Sequence, residues 1–121
     1  LIPIQCEYYA LEGLSQLIRT VEMVKQHLNP GLKISAILLT MTDSRTRLSD
    51  QVADEVRAFF GELVLTTVIP RSVRLSEAPG YGRSGLAYDP KSPGAVAYRA
   101  AAAELRSTTI DLTQTTQAVQ A

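Results

Sequence analysis

Apolar positions along the chain recur with two different periods. The opening stretch Leu1 to Gln5 is almost wholly apolar and strand-sized. From Tyr8 to Leu28 the apolar residues Leu11, Leu14, Ile18, Val21 and Leu28 are separated by three, four, three and seven positions, which stacks them on one face of a helix. Leu17 and Val24 widen that stripe, and Asn29-Pro30-Gly31 supplies the turn chemistry that ends it. Lys33 to Met41 is a continuous apolar run rich in Ile and Leu, the pattern of a strand covered on both faces. A polar segment carrying Arg45 and Arg47 follows. Ser49 or Asp50 can cap a second helix that runs to about Phe60, with Val52, Val56 and Phe59 facing inward and Gly61 as its stop. Val64 to Ile69 predicts a third strand, ended by Pro70.

Residues 71–94 are rich in Gly, Pro and Ser and read as one long loop, with a short helical turn near Leu75 to Ala78. Loops of that length in compact domains usually have a task. Ser92-Pro93 sets up a last helix, with Ser as N-cap and Pro in the first turn, running to about Leu105. From Ser107 the chain turns Thr- and Gln-rich. Residues 1–106 are thus expected to form the domain and 107–121 a disordered tail.

Strand, helix, strand, helix, strand, loop, helix is the order of an α/β fold: a parallel sheet with right-handed crossovers and helices on its faces. Ligands of such sheets sit outside the carboxyl ends of the strands. Here those ends are Gln5-Cys6-Glu7, Thr40-Met41-Thr42-Asp43 and Ile69-Pro70-Arg71. Three strands are few for such a fold. The chain also enters straight into an apolar segment at a leucine, so the sheet is expected to be incomplete.

Composition narrows the function classes. A chain of 121 residues makes one modest domain. Hydrophobic residues are 45% and charged residues 20%, which excludes wholesale disorder. Basic and acidic residues both number 12, so a broadly polybasic nucleic-acid binder is excluded while a local patch is not. One cysteine, Cys6, and one histidine, His27, cannot build a disulfide framework or a tetrahedral zinc site. Cys6, at a strand end, reads as a small core residue before it reads as a reactive thiol. His27 reads as a helix C-terminal residue favoured by the dipole. No apolar run approaches the length of a membrane span.

Gly80-Tyr81-Gly82-Arg83-Ser84-Gly85 matches G-x-G-x-x-G, but the dinucleotide fingerprint needs a strand before it and a helix after it. Ala78-Pro79 and Tyr88-Asp89-Pro90 are the wrong flanks, and a flexible loop accounts for the glycines. No G-x-x-x-x-G-K-[ST] phosphate cradle occurs.

Four arginines stand out. Arg45 and Arg47 follow the second strand, and Arg71 and Arg74 follow the third, so both loops emerge at one sheet edge. Clustered guanidiniums suit phosphate because they match its oxygens bidentately. As ordinary loop charges they would instead pair with Asp43, Asp50 or Glu77. Thr40, Met41 and Pro70 could line a flat apolar pocket for a base.

Three segments sharpen that picture: LIPIQCEYYALEGL at 1–14, ILLTMTDSRTRL at 37–48 and VIPRSVRLSEAP at 68–79, followed by YDPKS at 88–92. Together they closely resemble the C-terminal half of ParA/Soj-type chromosome-partitioning ATPases, the deviant Walker A family that includes MinD. The resemblance runs in unbroken order over residues 1–106. It implies a three-layer P-loop NTPase-like fold whose N-terminal half, with the P-loop, the catalytic lysines and the Walker B carboxylate, is absent here. It also implies ATP and Mg²⁺ as cofactors of the complete protein, an ATP-dependent homodimer, sequence-independent binding to double-stranded DNA, and a ParB-type partner that stimulates hydrolysis. The cellular place implied is the cytoplasm, on the nucleoid.

By that resemblance Thr40, Met41, Pro70, Arg71, Ser72 and Val73 lie around the adenine. Arg45 and Arg74 contact DNA, with Arg47 and Arg71 as lesser neighbours. Gln5 to Tyr9 supports the dimer face. Glu77 orients its loop, and Lys91 either solvates its own or makes a contact. The chain alone is expected to be inactive, with no catalytic residue and no bound metal. A stand-alone, non-enzymatic α/β module that binds DNA or a protein is the competing reading. Membrane targeting of the MinD kind would want a basic amphipathic C-terminal helix, which the Thr/Gln-rich end does not provide.

Overall fold

The structure, a computed structural model, describes the backbone of residues 1–120 and the side chains of residues 1–108. Strand β1 (Ile2–Gln5) leads into helix α1 (Ala10–His27), strand β2 (Ile37–Thr40) and helix α2 (Arg47–Phe60). After a 3₁₀ turn at Gly61–Leu63 the chain runs extended to residue 72. It then forms short helix α3 (Val73–Glu77), a second 3₁₀ turn at Ala78–Tyr81, short helix α4 (Gly85–Tyr88) and long helix α5 (Pro93–Gln120).

β1 and β2 pair in parallel, with Ile2 opposite Ile37 and Gln5 opposite Thr40. The expected third strand lies in parallel on the other side of β2, but it is not a continuous ladder. It touches β2 through isolated bridges at Ile37–Val64 and Thr42–Pro70. Between them, the Thr66 and Thr67 amides donate to the two carboxylate oxygens of Glu104 on α5, at 2.5 and 2.9 Å. A side chain thus takes donors that a strand would offer to its neighbour. The ladder resumes where the Ile69 amide reaches the Leu39 carbonyl, at 2.9 Å.

Side chains alternate across the sheet and build a core on each face. Ile2, Ile4, Ile37 and Leu39 pack against Leu14 of α1 and Val52 and Val56 of α2. Ala36, Leu38, Leu65 and Ile69 pack against Ala101 of α5. β2 is therefore buried at all four positions, as its unbroken apolar run requires, whereas β1 is buried only at Ile2 and Ile4.

Several boundaries differ from expectation for local reasons. α2 starts at Arg47, because Thr46 is the cap, accepting the Ser49 amide. Ser49 is instead buried, with its hydroxyl accepting the Asp43 amide at 3.0 Å. Phe59 is 79% exposed and Phe60, four residues after Val56, packs inward in its place. Leu28 lies past the end of α1 and is exposed. Gly61 does stop α2, with φ +53, a conformation that favours glycine. Ser92 caps α5, accepting the Ala95 amide, but the helix continues past Leu105 to Gln120. The side chains of residues 109–121, which include most of the tail expected to be disordered, lie outside the described residues.

Cys6 sits in the core. Burial pushes its thiol above the ordinary value, against the opposing pull of Ser49 and Arg57, so it stays protonated. His27 lies in the exposed last turn of α1, as expected. No helix among the described residues is long and apolar enough to cross a membrane.

Candidate functional site at the carboxyl end of the sheet

The carboxyl ends of β1, β2 and the extended 64–70 segment converge on a cavity of about 240 Å³. Gln5, Thr40, Met41, Pro70, Ser72 and Tyr98 are among the residues that line it, with Leu75 and Ser76 of α3 and Ile69 completing the wall. Four of the six residues expected around a base, Thr40, Met41, Pro70 and Ser72, are thus brought together. The other two are not. Arg71 turns away to Glu7, and Val73 opens α3 with its side chain 71% exposed.

Met41 carries the one positive φ outside glycine among the described residues, +54°. A left-handed methionine costs about 1–2 kcal/mol. Its neighbour fixes it there: the Thr42 amide and hydroxyl both donate to the Ile69 carbonyl, and the Arg71 amide donates to the Thr42 carbonyl at 2.9 Å. Among the described residues the Met41 N–H and C=O have no backbone partner outside the strand ladder. Backbone strain of this kind, held by surrounding hydrogen bonds, clusters at ligand sites.

The wall between α3 and α5 depends on two glycines. Leu75 is clamped between Gly85 and Gly94, so closely that a Cβ on either would overlap its side chain. Loop 71–94 is therefore a packed unit of short helices, and the G-x-G-x-x-G segment lies within its turns, away from any strand.

A larger apolar groove of about 700 Å³ runs along the outer side of β1, between Pro3, Tyr8, Tyr9, Leu17 and Leu48. It marks the uncovered edge of the sheet. Its lining is chiefly apolar, with Gln5, Glu7 and the two tyrosines as its polar members.

Three of the four arginines are paired with carboxylates, and none lines the cavity. Arg45 grips Asp43 through two guanidinium nitrogens, each 2.9 Å from an oxygen. The Arg45 side chain and backbone amide, aided by Arg71, hold the Asp43 carboxyl down at about 2. Arg71 reaches Glu7 at 3.5 Å. Arg74 meets Glu77 and Asp89, both at 3.3 Å, and lies 6.0 Å from the Tyr88 ring centre. Tyr88 donates its hydroxyl to Glu77 at 2.8 Å and stacks on Tyr81. Its phenol is shifted up, first by the Glu77 hydrogen bond and then by desolvation. Arg47 makes no ion pair among the described residues. Glu77 does tie its loop together, as expected. No cluster of His, Cys, Asp and Glu suited to a metal ion occurs among the described residues.

Tyr98 was not a candidate from sequence. The available signal was its position three residues before Ala101, which puts it on the α5 face that packs on the sheet.

Comparison with known proteins places the chain in a family. Residues 1–34 match the family described as AAA domain. The chain is 59% identical over 97 residues to the sporulation initiation inhibitor protein Soj of Bacillus subtilis, covering 80% of this chain and 38% of that protein. It is 55% identical over 105 residues to the chromosome partitioning protein ParA of Myxococcus xanthus, covering 87% and 37%. Against the chromosome-partitioning ATPase Soj of Thermus thermophilus it is 53% identical over 104 residues, covering 86% and 42%. The chain spans about two-fifths of the length of these relatives. With more than half of the aligned positions identical over at least four-fifths of its length, this chain belongs to the Soj/ParA family of chromosome-partitioning proteins.

Proposed function

We propose that this chain is the part of a chromosome-partitioning ATPase that holds the base of ATP and presents arginines to DNA. The observation that carries the reading is the strained Met41 turn, set with Thr40, Pro70 and Ser72 around one cavity at the carboxyl end of a parallel sheet. The cavity suits a base: Met41, Ile69, Pro70 and Leu75 offer apolar surface, with polar groups at intervals. The sequence has no G-x-x-x-x-G-K-[ST] cradle for the triphosphate. The described residues bring no three of His, Cys, Asp and Glu together as a metal site. Those parts of the site fall to the portion of the complete protein that corresponds to the rest of its relatives' length, which would also cover the open edge of β1. Bound ATP supplies the hydrolysable phosphoanhydride. The residues of this chain contribute binding and orientation of the base.

DNA binding rests on Arg45 and Arg74, with Arg47 and Arg71 adjoining. The Arg45, Arg71 and Arg74 side chains are 81%, 53% and 57% exposed, so a phosphate can reach each and displace its carboxylate partner. Such contacts are sequence-independent and salt-sensitive. ATP-dependent dimerisation doubles the patch and raises avidity without altering it. A ParB-type partner, acting on hydrolysis, would then release the protein from the nucleoid.

The test uses the full-length gene product. A fluorescent ATP analogue is titrated first, then binding to duplexes of unrelated sequence is measured across a salt series with and without ATP. Binding that needs ATP, and that weakens on every duplex with a flatter salt slope in Arg45→Ala and Arg74→Ala, is the expected result. Unchanged DNA binding by the double variant at low salt refutes the DNA assignment. Failure to take up the ATP analogue refutes the base site.

A further inference from the structure

We infer that residues 64–69 are a latent strand edge, suited to pairing with a second copy of this chain, and that Glu104 of α5 and Arg57 of α2 hold it closed. The inference is independent of the nucleotide and DNA readings above, because it concerns the side of the sheet away from β1.

The sequence creates the hazard. Val64-Leu65-Thr66-Thr67-Val68-Ile69 carries no charge, no Gly and no Pro, and every residue but Leu65 is β-branched. Short windows of that composition pair readily, as strands, with copies of themselves. β2 is protected, since β1 covers one of its edges and this segment the other. No strand among the described residues lies beyond residues 64–69, so the segment is itself the edge of the sheet on that side.

The backbone meets that hazard with a bulge. The Leu65 amide reaches the Ile37 carbonyl and the Ile69 amide reaches the Leu39 carbonyl, both at 2.9 Å. From Leu65 to Ile69 the segment therefore spends four steps where β2 spends two, and the surplus is thrown out of the ladder between them. Side chains from both faces of the sheet take the backbone groups this frees. Glu104 accepts the Thr66 and Thr67 amides, one on each carboxylate oxygen, at 2.5 and 2.9 Å. Arg57 donates through one guanidinium nitrogen to the Leu65 carbonyl at 3.2 Å and the Thr66 carbonyl at 3.5 Å. Donors and acceptors that an incoming strand would need are thus already occupied.

Charge decides the competition. Desolvation raises the Glu104 carboxyl, but hydrogen bonds from Thr67 and Thr66 outweigh it and leave it below its ordinary value, so both oxygens are acceptors at neutral pH. Charge-assisted hydrogen bonds are about twice as strong as neutral ones, so a strand offering neutral carbonyls loses to this carboxylate. Packing holds the carboxylate in place: Ala101 and Leu105, on either side of Glu104 in α5, both pack on the sheet.

The test uses the full-length gene product without nucleotide and compares wild type with Glu104→Ala, Glu104→Ala/Thr66→Lys and Leu75→Ala. Amide hydrogen exchange followed by NMR reads the edge directly. Thr66 and Thr67 should exchange about tenfold faster or more in Glu104→Ala, as expected for loss of a hydrogen bond to a charged group, while Leu65 and Ile69, bonded to β2, stay protected. Light scattering after size exclusion, over a concentration series, reads the pairing, and Glu104→Ala should gain self-association that wild type lacks. Thr66 is exposed, so a lysine there charges the edge without entering the core, and the double variant should return to the wild-type mass. Leu75→Ala loses stability with the edge still capped and should keep the wild-type mass. Unchanged exchange at Thr66 and Thr67 in Glu104→Ala, or a wild-type mass at every concentration, overturns the inference. So does self-association that Thr66→Lys does not reverse or that Leu75→Ala reproduces. Should Glu104→Ala fail to fold, Glu104→Gln serves in its place: it leaves one acceptor oxygen for two amides, and unchanged exchange at both is equally fatal.

Discussion

The clamp on Leu75 makes a sharp prediction about Gly94. A Cβ built on Gly94 falls 2.5 Å from Leu75 Cδ1, 2.7 Å from Leu75 Cγ and 3.0 Å from Ser72 Cβ. Carbon atoms in good contact sit about 3.5–4.0 Å apart, so roughly 1 Å of clearance is missing. Cγ is the branch point of the side chain, so turning one methyl aside does not relieve the overlap. Leu75 cannot retreat either, because Gly85 faces its other methyl with even less room. Overpacking of this kind costs about 1–3 kcal/mol. Alanine in a helix recovers up to about 1 kcal/mol over glycine, and less in a first turn such as this one. Gly94→Ala should therefore destabilise the protein by about 1–2 kcal/mol, a fall of several degrees in Tm at this chain length.

The mechanism is separable from a generic loss of stability. Leu75→Ala alone leaves a void and costs about 2 kcal/mol, the low end for leucine because this side chain is only half-buried. In the double variant the new alanine methyl enters that void. Urea denaturation of the four proteins should show the double variant more stable than the sum of the singles by at least about 1 kcal/mol. Because Leu75 also lines the cavity, Gly94→Ala should weaken binding of the ATP analogue at temperatures where the protein is still folded. Additive stabilities, or a Gly94→Ala variant as stable as wild type, would refute the clamp.

Two further outcomes follow from the charged groups. Partial desolvation pushes the Glu104 carboxyl up, but hydrogen bonds from the backbone and side chains of Thr67 and Thr66 outweigh it, leaving a net downward shift. Its contribution is therefore full above the unfolded value near 4.5 and is lost as pH falls through the depressed folded value. Glu104→Gln, with one acceptor oxygen for two amides, should cost about 1 kcal/mol after allowance for solvent screening and flatten the acid limb of a stability–pH profile. Glu77→Gln with Asp89→Asn frees Arg74 while leaving Tyr88 an acceptor, and should tighten binding to a duplex at low salt roughly two- to fivefold in the full-length protein. Weaker binding there would mean that the carboxylates aim Arg74 at DNA instead of competing with it.

Local pattern carried much of the fold, and tertiary partners decided the rest. β2 was legible because burial on both faces demands an unbroken apolar run. α1 was legible because Leu11, Leu14, Ile18 and Val21 keep one phase. The break in the third strand was not legible, since the group responsible, Glu104, lies 38 residues from Thr66. Phe59 and Phe60 are adjacent and chemically alike, so only the phase set by Val56 separates them. At the site, pairing of Arg45 with Asp43 and Arg74 with Glu77 could be read from near neighbours. Arg71 with Glu7 and Arg74 with Asp89 depend on how the loops fold back. Met41 was legible as a wall residue, but nothing in its identity announces a left-handed backbone. Tyr98 was passed over because a tyrosine in a helix is usually just packing.

The paired arginines bear on how DNA binding could be switched. An unpaired patch of four guanidiniums would hold a duplex from a single protomer at low salt. Here Asp43, Glu7, Glu77 and Asp89 oppose Arg45, Arg71 and Arg74, leaving little net charge at long range. A phosphate must displace a carboxylate at each contact, which lowers the gain per contact while preserving its salt dependence. Individually weak contacts are the regime in which joining two patches matters most. The second patch then binds at the effective concentration set by the first, and affinity rises by orders of magnitude without a new interaction. Internal pairing is thus no argument against a DNA face. Under the proposed function it would keep one protomer off DNA and let nucleotide-dependent dimerisation decide, so removing the carboxylates should relax the requirement for ATP as well as tighten binding.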